Sequence, residues 1–375
     1  MGCYHPDHVK EQIRSYALSL GFAACGFTHA EALDCAPVFA DWLARGRHGL
    51  MDYLARTPER RTEPRSAMPE AESVLVLAWP YPAPPPMRSD WRGMLRGRIA
   101  AYALGNDYHD VLGVKLGELA ASMDAACGAR TRWYVDTGPL VEKDLARRAG
   151  LGWYGHNTNV LSRTGGSYFL LGCILTDARF EPDAPFTADH CGTCRACVPA
   201  CPTGALDEGP TIDARKCISY LTIEHRGPID EQLRAGLGSW IFGCDVCQQV
   251  CPWSPAADPG ASDFLEPYLP DVLLIDTETF RQRYAHTAVA RAKRRGLARN
   301  AAVVLGNTGN PEAVEPLAFA LREHDEPLVR AHAAWSLGRI GGDPAVRTLE
   351  YAASREAVPP VLVEIAAALA RRSMG

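Results

Sequence analysis

Cys191-Gly-Thr-Cys194-Arg-Ala-Cys197-Val-Pro-Ala-Cys201-Pro202 is the stretch that decides the fold. Three thiolates at this spacing hold three irons of a 4Fe-4S cubane, and the fourth, followed by proline, turns away to a neighbouring cluster. That crossing calls for a second ligand set. It is present as Cys244-Asp-Val-Cys247-Gln-Gln-Val-Cys251-Pro252, with Cys217 upstream in place of the cysteine that a compact motif would carry three residues before Cys244. Reciprocal sharing assigns Cys191, Cys194, Cys197 and Cys251 to one cluster, and Cys201, Cys217, Cys244 and Cys247 to the other. Zinc is the alternative that CxxC pairs allow, but a zinc ribbon pairs two such knuckles and has no use for the longer run. The remaining cysteines, Cys3, Cys25, Cys35, Cys127 and Cys173, are scattered among apolar neighbours and read as packed small side chains.

Outward from this ferredoxin-like module, placed at residues 187–262, the chain changes character on both sides. Residues 1–186 interleave helix-like periodicity (Val9 to Leu20, Asp110 to Ala126) with short apolar runs suited to strands (Ser73 to Trp79, Tyr168 to Leu175), which predicts an α/β domain. Pro80 to Pro86 holds five prolines in seven residues and predicts an extended surface loop leaving the preceding strand. Residues 263–375 carry no cysteine and repeat themselves. Arg299-Asn-Ala-Ala-Val-Val-Leu-Gly-Asn-Thr-Gly309 superposes on His332-Ala-Ala-Trp-Ser-Leu-Gly-Arg-Ile-Gly341, with Leu305-Gly306 answering Leu337-Gly338, and Ile365 to Leu369 is a worn third copy. Such a period predicts a HEAT-like stack of helical hairpins, with small residues for close packing and glycines at helix ends.

Composition sets outer bounds. At 375 residues, 47% hydrophobic and 22% charged, the chain can bury a large core and divides into two or three domains. No run approaches the roughly 20 apolar residues of a membrane helix, and Met1 to Lys10 lacks the basic-then-apolar pattern of an export signal. With so many cysteines, that points to free thiols in a reducing cytoplasm. A net charge of −5 argues against a general polyanion binder, yet Arg281, Arg283, Arg291, Lys293, Arg294, Arg295 and Arg299 fall in one segment without an acidic residue. Lys293, Arg294, Arg295 and Arg299 are the predicted contacts to RNA phosphates; a solvated helix face is the plainer reading.

Several longer motifs remain: Asp107-Tyr-His109, Val135-Asp-Thr-Gly-Pro139, Ala149-Gly-Leu-Gly-Trp-Tyr-Gly155 with Asn157-Thr158, Cys217-Ile-Ser-Tyr-Leu-Thr222, and Gly243-Cys-Asp-Val-Cys-Gln248 with Cys251-Pro-Trp253. In type and order they resemble the epoxyqueuosine reductases, over essentially the whole chain. The resemblance implies a cytoplasmic oxidoreductase of queuosine biosynthesis that removes the epoxide oxygen of epoxyqueuosine at the wobble position of tRNA. It implies a cobalamin cofactor on a nitroreductase-like α/β domain, two 4Fe-4S clusters, an unidentified low-potential electron donor, and a monomer with no membrane attachment.

By the same resemblance Asp136 is the proton donor, a role that asks for a carboxyl raised by desolvation. Read from the residues alone, Asp136 is a turn residue capping the amides of Thr137 and Gly138. Cobalamin contacts are expected from Arg61, Asp136, Thr137, Asn157, Val160, Ser219 and Asp245. This chain departs from the family pattern at His156, where many members carry lysine, so a charge contact there would titrate near neutral pH. Two other readings compete: another corrinoid iron-sulfur reductase, resembling the reductive dehalogenases, and a ferredoxin module on a HEAT adaptor without catalysis. The first has no use for a helical repeat with a basic segment, and the second leaves the α/β domain unexplained.

Overall fold

Val74 to Ala78 is apolar at every position, a pattern that suits a strand covered on both faces rather than one. The computed structural model describes residues 6–86, 88–255 and 266–371 and bears this out. Four strands, β1 (Ala24–His29), β2 (Ser73–Pro80), β3 (Thr131–Tyr134) and β4 (Phe169–Thr176), form a sheet in the order β1-β2-β4-β3. Every pairing is antiparallel. Leu75 and Leu77 of β2 face helices α1 (Pro6–Ser19) and α2 (Tyr108–Cys127), where Ile13, Leu112, Leu116 and Leu119 meet them. Val74 and Val76 face the other way, onto Leu145 and Ala146 of α3 (Glu142–Arg148). The domain is thus a mixed α/β layer in which the chain crosses over from β2 through α2 to β3, leaving the place between them to β4.

Cys25, Cys35, Cys127 and Cys173 belong to this layer, at the edges or in the interior of its two cores; Cys3 lies outside the described residues. The proline-rich loop is less exposed than predicted. Ala83 and Pro84 are buried, and the Pro85 carbonyl accepts from Arg98 (2.5 Å) and from Gln249 beside the second cysteine motif (3.2 Å). Lacking its own donors, the loop serves as an acceptor edge that ties the two regions together. A short parallel pairing between Arg98–Ile99 and Trp240–Phe242 does the same. The expected boundary at residue 262 lies outside the described residues.

The C-terminal region stacks helices α4 (Lys293–Thr308), α5 (Val314–Glu323), α6 (Pro327–Ile340), α7 (Asp343–Ala353) and α8 (Pro359–Ala370). Here the repeated glycines do two jobs. A Cβ on Gly306 would come within 2.9 Å of the Ser336 backbone, and one on Gly338 within 2.9 Å of the Ala368 backbone, so each keeps its helix against the next repeat. Gly309 and Gly341 instead end α4 and α6 at positive φ, 66° and 72°, where a side chain is strained.

The stack is fastened to the cysteine-rich segment by a buried polar ladder. Arg299, fully buried, donates to the carbonyls of Leu221 (2.6 Å), His225 (2.8 Å) and Gly227 (2.7 Å). Asn300 donates to Thr222 and Ile241, and His332, at the repeat position equivalent to Asn300, accepts from the Ile229 amide. This corrects the reading of Arg299 as a phosphate contact: its guanidinium is spent on backbone acceptors of the neighbouring domain. Among the described residues, no helix is long and apolar enough to cross a membrane.

Removing the Arg299 side chain strands three buried carbonyls. Arg299→Ala is expected to cost about 3–5 kcal/mol, the range for deleting one partner of a buried charge network. Denaturant unfolding of the full chain checks this; wild-type stability would show that the ladder does not hold the domains together.

Candidate active site

Three regions of the fold converge around Asp136. It follows β3 on a turn whose backbone lies in the left-handed region (φ 50°), which aspartate tolerates better than most residues. The amide of Thr137 bonds back to Val135 and does not reach the Asp136 carboxylate, so the capping role read from the turn is not the one adopted. The carboxylate instead accepts from Tyr108 Oη at 2.8 Å, and its Oδ2 lies 3.6 Å from His109 Nε2. Glu142, opening α3, accepts from the Asp136 amide at 2.8 Å. The side chain remains 65% accessible, so the acid lines an open mouth. Glu142 is reached by the same field: burial and the Asp136 charge push its carboxyl up to about 8.

The raised pKa expected at Asp136 is not found. Burial alone would raise its pKa, but the close approach of His109, the hydrogen bond from Tyr108 and the charges of His109 and Arg291 hold it below the ordinary carboxylate value. His109 is pushed the other way. The nearby Asp136 carboxylate raises its pKa against the opposing effect of burial, and Asp107, which accepts from Nδ1 at 2.7 Å, adds to the rise. The Asp107-Tyr-His109 motif had been legible as a family feature without a role. Its role is set by geometry: Asp107 caps α2, accepting from the His109 amide as well as from its ring.

The other expected cofactor contacts divide into three kinds. Arg61 reaches the Asp136 turn, donating to the Gly138 carbonyl at 3.3 Å and to the Tyr53 carbonyl at 3.4 Å, and so is not a free surface arginine. Thr137 is exposed beside Asp136, while Asn157 is buried next to the cysteines, with Nδ2 3.4 Å from the Cys247 carbonyl. Val160, as buried as Asn157, pairs with Tyr154 and packs its side chain into the α/β core. Ser219 turns its amide and hydroxyl to the Cys217 thiol, where both favour the thiolate against burial. Asp245 is buried; Oδ2 accepts from the Ala101 amide at 2.9 Å, but Oδ1 has no hydrogen-bond partner among the described residues. That orphaned acceptor fits a ligand carrying amide donors, as the rim of a corrin does.

The cysteines of the two motifs lie close to one another. Cys191, Cys194, Cys197 and Cys251 line one cavity of about 380 Å³, with His156, His190 and Trp253 on its wall. Cys201, Cys217, Cys244 and Cys247 lie near one another: Cys247 feels the charges of Cys217 and Cys201, and also of Cys197 from the first motif, and Cys244 those of Cys247 and Cys217. Trp153 donates to the Cys191 sulfur at 3.4 Å and the Ala205 amide to the Cys201 sulfur at 3.3 Å, contacts of the kind that tune cluster potentials. Among the described residues, no three His, Cys, Asp or Glu side chains converge as ligands of a single ion. His156 sits beside the first group, against the Cys194 carbonyl at 3.0 Å, and away from Asp136.

The basic segment is also sorted by the fold. Arg294 is mostly covered and paired with Asp325, and Arg291 is held by Glu224 at 2.8 and 3.1 Å. Lys293 and Arg295 are exposed. Arg226, from the cysteine-rich region, shares their field with Arg291 and Arg295. Because the Arg291 charge also acts on Asp136, this cationic edge borders the mouth of the acid site. Tyr53, Glu142, Lys143 and Arg291 were not singled out for this mouth by the sequence; nothing in their local motifs distinguishes them, and only the meeting of three domains brings them to Asp136.

Comparisons with known proteins agree with this division. Residues 61–137 match a family model described as epoxyqueuosine reductase QueG, residues 190–254 one for a 4Fe-4S double cluster binding domain, and residues 287–370 one for HEAT repeats. The epoxyqueuosine reductase of Xanthomonas campestris pv. campestris is 38% identical over 347 residues, spanning 90% of this chain and 97% of that protein. A crystal structure of epoxyqueuosine reductase with a tRNA-Tyr epoxyqueuosine-modified stem loop superposes with a TM-score of 0.91 at 30% identity, covering 98% of this chain and 100% of the other. The Bacillus subtilis epoxyqueuosine reductase, solved with its aspartate-bearing catalytic loop swung out of the active site, gives 0.89 at 29% identity, with coverage of 98% and 100%.

Proposed function

The chain belongs to the epoxyqueuosine reductase family of oxidoreductases, and on that premise we propose that it removes the epoxide oxygen of epoxyqueuosine at the wobble position of a tRNA. One observation carries the reading. An accessible aspartate, on a turn that a bulky residue would strain, faces a mouth bordered by a cysteine-rich domain on one side and by cations of a helical repeat on the other.

Each region then has a task. The two thiol groups hold two 4Fe-4S clusters in crossed ligation, and an external low-potential donor feeds them. Cobalamin, when bound, supplies a low-valent cobalt able to open the electrophilic epoxide. Arg61, Thr137, Asn157, Ser219 and Asp245 hold it, with the buried Asp245 Oδ1 accepting from a peripheral amide. Ser219 and Asp245 each lie within two residues of a ligand of the second cluster, which supports that cluster as the nearer electron source. Asp136 hands a proton to the departing oxygen and so neutralises the negative charge that would otherwise develop on it. Tyr108 and Glu142 fix the position of that carboxyl through its own oxygen and its own amide. Lys293, Arg295 and Arg226 take phosphates of the anticodon arm, and the modified base leaves its stack to enter the mouth.

Anaerobic incubation of cluster- and cobalamin-loaded protein with epoxyqueuosine-containing tRNA and a strong reductant, read by nucleoside mass, is expected to show loss of one oxygen. Asp136→Asn, which keeps the shape, should retain both clusters and cut turnover by roughly 100- to 10,000-fold. Intact substrate with the wild-type protein would overturn the reading.

The crossed ligation makes a separate prediction. Cys201→Ser is expected to disturb the cluster of Cys217, Cys244 and Cys247, although it lies in the first motif. Iron counting and EPR decide this; loss of the Cys191 cluster alone would contradict it.

For RNA, neutralising Lys293 and Arg295 together should weaken tRNA binding and reduce the slope of log affinity against log salt by about 2. Unchanged affinity and slope across a salt series would remove this edge from the interface.

A further inference from the structure

Deoxygenation of an epoxide to an alkene breaks two carbon-oxygen bonds, forms one carbon-carbon double bond and releases water. It consumes two electrons and two protons. The electrons enter through the clusters, one at a time, from the low-potential donor. The protons must come through the protein, and a single carboxyl holds at most one. Asp136 is moreover kept ionised by its neighbours, so a further group has to supply it.

Around Asp136 the candidates differ in what they can release. Tyr108 donates to the carboxylate, but burial and the Asp136 charge push its phenol far up, so it keeps its proton. Glu142 is bonded to the Asp136 amide, not to its carboxylate. His109 is placed differently. Its Nδ1 is fixed by Asp107 at 2.7 Å, leaving Nε2 buried, without a hydrogen-bond partner within range, and 3.6 Å from Asp136 Oδ2. The ring also stacks on Tyr108, with centroids 4.1 Å apart, which fixes its plane. A carboxylate behind an imidazole sets which nitrogen faces the acceptor and favours the imidazolium.

We propose that His109 is the proton reserve of this site: clamped by Asp107, it passes its Nε2 proton to the Asp136 carboxylate, which then hands a proton to the departing oxygen. The N–H bond of His109 breaks as an O–H bond forms on Asp136. The imidazole returns to its charged form by taking a proton from water before the second transfer. His109 acts through Asp136 and touches no reacting atom, so it is a positioning and proton-supplying residue. The inference rests on the reading of Asp136 as the acid.

The charged and titratable groups facing His109 are Asp107 on its own helix cap, Tyr108 beside it, Asp136 on the β3 turn and Glu142 at the start of α3; Arg291 of the helical repeat and Lys143 act on Asp136 from further out. The sum favours the imidazolium, since His109 is raised above its ordinary 6.5. Proton supply is therefore full at low pH and is lost as pH rises through that raised value.

Two measurements on the cluster-loaded full chain test this. Histidine labelled with 13C at Cε1, assigned by difference with His109→Gln, reads the His109 titration by NMR independently of activity. Its midpoint should lie above that of an ordinary imidazole and move down in Asp136→Asn and in Asp107→Asn. Single-turnover oxygen loss from epoxyqueuosine-containing tRNA, followed against pH, should fall as pH rises through that midpoint in wild type. His109→Gln should slow it by about 10- to 100-fold, a lower share than a direct acid would take, and remove that limb while cluster content and tRNA affinity stay at wild-type levels. If His109→Gln does not fold, Asp107→Asn carries the test, with a lowered midpoint and a matching downward shift of the limb. A wild-type rate and limb in His109→Gln, or a midpoint that Asp136→Asn leaves in place, would overturn the proposal. A wild-type rate in Asp136→Asn would instead sink the assignment of Asp136 itself.

Discussion

Arg299 is the fastening on which the arrangement of this protein depends. A guanidinium buried without its acceptors would be too costly to keep, and the backbone acceptors it finds all lie on the stretch between Cys217 and Cys244. The helical repeat is therefore docked on the very segment that runs between Cys217 and Cys244 of the double-cluster domain. From that docking follows the position of Arg291 eight residues earlier, paired with Glu224 and within electrostatic reach of Asp136. One buried cation thus sets where the surface cations stand.

Charge around the mouth is distributed unevenly, and the unevenness has a simple origin. Asp136 receives hydrogen bonds and cationic neighbours and stays ionised; Glu142 meets burial and the Asp136 charge, and is neutral below about 8. Two carboxyls so close cannot both carry charge cheaply, and the one with more donors wins. His109, between two carboxylates, takes up the balancing positive charge. The group that faces solvent is consequently the base form of the pair, with the proton held one residue behind it.

Much of this was legible in the sequence, for reasons that differ by feature. The cysteine spacing is legible because cluster ligation demands fixed separations, and the glycines at 306 and 338 because backbone contact between repeats leaves no room for a side chain. The two-sided burial of Val74 to Ala78 shows directly in its unbroken apolar run. What local sequence could not carry was the direction in which a charged side chain points. Arg299 and Lys293 stand in the same basic run, yet one is spent inside and the other faces solvent. Val160 follows the Gly-rich motif as the family pattern asks but turns into the core. The sign of the Asp136 shift was hidden for a related reason: the donors that reverse it come from a helix cap almost thirty residues earlier.

The left-handed turn at Asp136 has a consequence for how such a chain can change over generations. Asparagine accepts the same backbone as readily as aspartate, and glycine more readily still. A substitution to either would leave the turn, the sheet and the docked repeat untouched. Selection for folding is therefore blind at this position, and only selection for the reaction can hold the carboxyl in place. A descendant released from its chemistry could lose it in one step and remain a well-folded protein with its cysteine groups and its cationic edge intact.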